Sequence, residues 1–89
     1  MARIETIDFT NSELMPAGTS ADALFELGMM YCVGRDVDMN LVSAHKWLNL
    51  AALRGNHEAK HRRVEISREM TKEQIAEAQR QAREWLRAH

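Results

Sequence analysis

The chain of 89 residues has one cysteine, one proline and four glycines, and only 6 % of it is aromatic. A single thiol excludes an internal disulfide and fits a reducing compartment. Cys32 lies among Met30, Tyr31 and Val33, the setting of a core thiol rather than a reactive one. So little proline and glycine leaves few turns for a strand-rich fold, and the abundance of Ala, Leu, Glu, Arg and Gln favours helices. Long apolar runs are missing as well. Nothing approaches the roughly 18 apolar residues that span a bilayer, and residues 1–8 carry no continuous apolar stretch of the secretory kind. The expectation is a cytoplasmic protein that does not engage a membrane. An excess of either charge is also lacking: the net charge is −1, with −2 on residues 1–19, −1 on 20–55 and +2 on 56–89. Such a balance does not seek polyanions.

What is present is one small domain's worth of apolar residues, 45 % of the chain, enough to argue against disorder. Residues 1–19 show no regular period: Ile4, Ile7, Phe9, Leu14 and Met15 are irregularly placed before Pro16 and Gly18. They read as an extended arm lying on the domain, with a loose terminus as the alternative. Residues 20–89 read as the domain itself. Ser20 is an N-cap for a first helix running to about Val33, and Gly34 stands where a left-handed C-terminal residue belongs. Asn40 caps a second helix to about Arg54, and Asn56 a third from His57 to about Met70. Thr71, with Gln74 three residues on, forms a capping box for a fourth. The fold class is therefore all-α, about four helices, and the short connections predict successive antiparallel hairpins.

Self-comparison sharpens this. Ser20-Ala21-Asp22-Ala23 returns as Asn56-His57-Glu58-Ala59 at an offset of 36, and Ala44-His45-Lys46-Trp47-Leu48 as Ala82-Arg83-Glu84-Trp85-Leu86 at an offset of 38. Each half reads as cap, helix, turn, helix, small residue and Trp, the period of helical-hairpin repeats. The residues Ala23, Phe25, Leu27-Gly28, Met30-Tyr31, Gly34, Val37, Asn40, Ala44, Trp47, Ala51-Ala52, Gly55 and Ala59 give one full repeat, 20–55. On these residues the chain resembles the Sel1-like repeat family, of tetratricopeptide kind and of a small bacterial type. Residues 56–87, with Met70-Thr71-Lys72-Glu73-Gln74-Ile75 and Glu84-Trp85, are similar to its degenerate closing segment. The resemblance implies a fragment of a right-handed α/α solenoid that serves as an adaptor for another protein, without catalysis, cofactor or small-molecule substrate. A solenoid usually needs about three repeats to cover its core. The deficit here must be met by the arm, by a second copy of the chain, or by a partner.

The motif that invites a catalytic reading is His57-Glu58-Ala59-Lys60-His61, which matches H-E-x-x-H. Two imidazoles one helical turn apart would hold zinc and the glutamate would activate water, as in a small zinc-dependent hydrolase. Against it stand the repeat, which already accounts for Ala59, and the cations Lys60, Arg62 and Arg63 around the would-be metal. The expected reading is a solvated helix face, with no metal and no catalytic residue. His45, beside Trp47, reads as a partly buried or surface imidazole. The arginines of the second half alternate with Glu65, Glu69, Glu73, Glu77 and Glu84, a pattern that suits intrahelical pairs and not nucleic-acid binding.

Apolar excess carries the functional expectation. Leu24, Met29, Leu50 and Leu53 occupy positions often polar in the resembled family. Four helices cannot cover every such face, and an exposed remainder marks a partner surface, to which methionine adapts well. Phe25, Met29, Met30 and Leu53 are the expected anchors for a partner protein, or for a second copy in a homo-oligomer.

Overall fold

A computed structural model describes residues 19–88. They form four α-helices and no strand: α1 Ala21–Val33, α2 Leu41–Leu53, α3 His57–Ser67 and α4 Lys72–Ala88. The all-α expectation thus holds. The proposed arm falls almost wholly on residues 1–18, outside the described part.

Each helix starts where side-chain chemistry lets it. The Ser20 Oγ accepts the Ala23 N–H at 3.1 Å, the Asn40 Oδ1 accepts that of Ser43 at 3.0 Å, and the Asn56 Oδ1 accepts that of Ala59 at 2.8 Å. These satisfy backbone donors that the first turn leaves without partners. At α4 the bonding is reciprocal. Gln74 N–H donates to Thr71 Oγ1 at 3.1 Å, and Thr71 N–H donates to Gln74 Oε1 at 2.9 Å, the capping box read from the sequence. At the end of α1, Gly34 takes φ +76°, a left-handed conformation that a side chain would strain. The turn lets Gly34 and Arg35 N–H both reach the Met30 carbonyl, at 2.8 and 3.0 Å.

α3 stops three residues earlier than its pattern suggests. The N–H groups of Arg68, Glu69 and Met70 reach back only three residues, to Glu65, Ile66 and Ser67, so the chain tightens into a turn. Ser67 Oγ also donates to the Arg63 carbonyl at 2.7 Å, a back-bond that weakens a continuing helix.

α2 is the element the other three share. Ala44, His45, Trp47, Leu48, Leu50 and Ala51 are all buried, as befits a helix that is apolar nearly all round. α1 runs antiparallel to it: Tyr31 lies near Asn40, Gly28 near Leu48 and Thr19 near Arg54. The two helices close up tightly at the centre, where a Cβ on Gly28 would sit 2.8 Å from the Leu48 Cγ. α3 turns only Ala59 and Ile66 into the core, and α4 turns Ala78, Ala82 and Trp85. Those few apolar residues face α2, so α3 and α4 each pack against it and touch each other only lightly. The hairpin of α1 and α2 is close-packed, whereas that of α3 and α4 is open. Trp47 and Trp85 meet edge to face with centroids 6.0 Å apart, which fixes α4 to α2 with more than area alone.

Candidate functional site

The N-termini of α1 and α3 meet at one end of the molecule. Asn56, besides capping α3, donates from Nδ2 to Asp22 Oδ1 at 3.1 Å. Nearby, Arg54 donates to the Thr19 carbonyl at 2.7 Å while its guanidinium lies 5.1 Å from the Trp85 ring centroid. Arg54 therefore ties together the entry to α1, the end of α2 and the face of α4. At the other end, the Cys32 thiol of α1 lies within electrostatic reach of Arg62 and Glu65 on α3 and of Glu69 just after it. Burial pushes that thiol above its usual value; Arg62 lowers it, and Glu69 and Glu65 raise it. α1 and α3 thus flank α2 side by side and point the same way.

Both helices pack on α2 and make few contacts with each other, which leaves a cleft between them. Phe25, Met29 and Cys32 follow one another at intervals of four and three along α1 and are only partly buried against the core. They form one stripe on the flank of α1. Opposite, Arg62 sits between two carboxylates, its Nε 3.1 Å from Glu58 Oε2 and its Nη1 3.3 Å from Glu65 Oε1. The cleft therefore has an apolar wall and a wall of paired charges.

The four expected anchors do not share this place. Phe25 and Met29 lie on the cleft wall. Met30 is buried, 7 % exposed, because it stands five positions after Phe25 and points to another side of the helix. It belongs to the packing of α1 on α2. Leu53 is 63 % exposed. It lies five positions, about 140° of helix rotation, from Leu48, which α1 covers. Its stripe on α2 also holds Asn49, bonded to Arg63 of α3, and Lys46, within electrostatic reach of Glu84 of α4. Leu53 is exposed, then, but on another face from Phe25 and Met29. Cys32 completes the stripe; the helical spacing of Phe25, Met29 and Cys32 already groups the three in the sequence, although Cys32 is not among the four expected anchors.

His57, Glu58 and His61 are exposed on the first turns of α3. The Glu58 carboxylate is engaged by Arg62. No three His, Cys, Asp or Glu among the described residues are grouped to hold a metal ion. His45 is more deeply placed than its sequence context suggests, at 3 % exposure.

The outer face of α4 carries the expected ion pairs. Arg80 bridges Glu77, at 2.7 Å, and Glu84, at 3.3 Å. Hydrogen bonds from Arg80, then from Gln81, hold the Glu77 carboxyl down at about 2. This solvated face is worth little to stability. No helix of the described residues is long and apolar enough to cross a membrane. Compared with models of known protein families, with curated proteins and with solved structures, the chain matches none.

Proposed function

We propose that this chain is a non-catalytic interaction module of the Sel1-like repeat kind, an adaptor whose contact surface is the α1–α3 cleft. The observation that carries the reading is the Phe25–Met29–Cys32 stripe. α1 packs extensively on α2 alone, so among the described residues this second apolar flank is left part-covered. Partly buried aromatic and methionine side chains between two helices favour a protein or peptide partner. The paired charges across the cleft, Arg62 with Glu58 and Glu65, form a polar rim of the sort that sets register more than affinity. Leu53 lies outside this surface and Met30 supports it from the core, so Phe25 and Met29 are its anchors.

Affinity capture from the native cell tests the proposal, with wild type compared against Phe25→Glu and Met29→Glu. Val64→Glu serves as the control, since Val64 is 44 % exposed on α3 and stands outside the Arg62–Glu65–Glu69 side. The expected result is a partner retained by wild type and by the control and lost with either cleft variant, with helical circular dichroism unchanged. Equal capture by all four proteins would refute the cleft. If the retained partner is the chain itself, light scattering over a concentration series will show the dimer.

A further inference from the structure

The seam between α2 and α3 holds a buried base that the binding surface does not use. His45 is 3 % exposed, and its Nδ1 has no hydrogen-bond partner among the described residues. Such a group is far less costly neutral than charged, because burial removes the water that would solvate an imidazolium. One turn along α2, Asn49 accepts a hydrogen bond from the Arg63 guanidinium through its Oδ1. A fixed positive charge from α3 therefore already stands over this stretch of α2. Arg63 is the charged group that acts on His45, and no titratable group of α1 or α4 adds to it among the described residues. Among the described residues no carboxylate acts on His45 to balance a second cation.

We propose that His45 is an acid-sensitive latch: its protonation puts a second cation beside Arg63, parts Arg63 from Asn49 and releases α3 from α2. Burial, and then the Arg63 charge, hold the imidazole below its usual value of 6.5. The direction of the effect follows. As pH falls through 6.5 the unfolded chain takes up a proton that the folded one still refuses. Stability is therefore lost from about that pH downward and levels off only below the folded value. Because α3 is one wall of the cleft, the consequence for partner binding rests on the reading above; the release of α3 does not.

Urea unfolding of the full chain at steps from pH 7.5 to 5 reads the latch without any partner. One unmatched proton raises the unfolding constant by up to about tenfold per pH unit. Wild type is expected to show that rise, His45→Gln to lose it, and Arg63→Gln to show it more weakly. Equal pH dependence in wild type and His45→Gln would overturn the proposal. Should His45→Gln not fold, the NMR titration of His45 in the wild type decides instead, since a midpoint at or above 6.5 overturns it too. In the same samples the amides of α3 should lose protection before those of α1 as pH falls. Simultaneous loss would mean global unfolding and no latch. If α3 is released on schedule while a cleft-bound partner stays bound, it is the binding surface that fails and the latch that stands.

Discussion

Gly28 meets Leu48 where α1 crosses α2, and two opposing effects bear on its replacement. Alanine in a helix is favoured over glycine by about 1 kcal/mol. Here, however, the new Cβ would lie 2.8 Å from the Leu48 Cγ and Cδ2 and 3.2 Å from the Leu48 backbone nitrogen, and overpacking of that kind costs about 1–3 kcal/mol. The backbone contact decides the sign, because a rotamer change at Leu48 cannot relieve it. Gly28→Ala should lower the thermal midpoint, by up to about 10 °C for a domain of this size. A raised midpoint would mean the helices do not approach as described. At this scale the sequence is most readable where chemistry is local. Ser20, Asn40, Asn56 and Thr71 act as the caps they resemble, because a cap needs only its own first turn. Met30 and Leu53 could not be placed that way. Whether an apolar residue is core or surface depends on which flank a neighbouring helix covers, and on α1 and α2 apolar residues occur on almost every flank.

Among the elements, α3 is the weakest. Its Ala59 and Ile66 are its only buried residues, against six on α2, and its ion pairs are solvated ones of small worth. Its C-terminal turn is tightened, with Ser67 bonded back to Arg63. Local opening free energies follow buried apolar contact. Hydrogen exchange near neutral pH should therefore find the α3 amides less protected than those of α2, by at least tenfold, and Ile66→Ala should widen the gap. Equal protection would show that the chain opens only as a unit. The early end of α3 was not legible in the sequence, since residues 68–70 contain no glycine or proline to mark it. The turn follows from a switch in hydrogen bonding, which composition does not display.

Over the whole molecule, four helices were legible from caps and periodicity, but their arrangement about α2 was not. Hairpin logic pairs neighbours in sequence. It does not see that α3 and α4 each have too little apolar surface to pack on one another and so both turn to α2. Among the described residues the same arrangement leaves α1 with a single extensive neighbour and its Phe25–Met29–Cys32 stripe part-covered, which is the basis of the binding proposal. The most direct measurement places a photo-crosslinking phenylalanine analogue at position 25 in the native cell, with position 64 on the outer face of α3 as the comparison. The cleft reading predicts a discrete crosslinked protein from position 25, either a partner or a second copy of the chain, and none from position 64. The absence of any adduct at 25, or the same adducts from both positions, would contradict it.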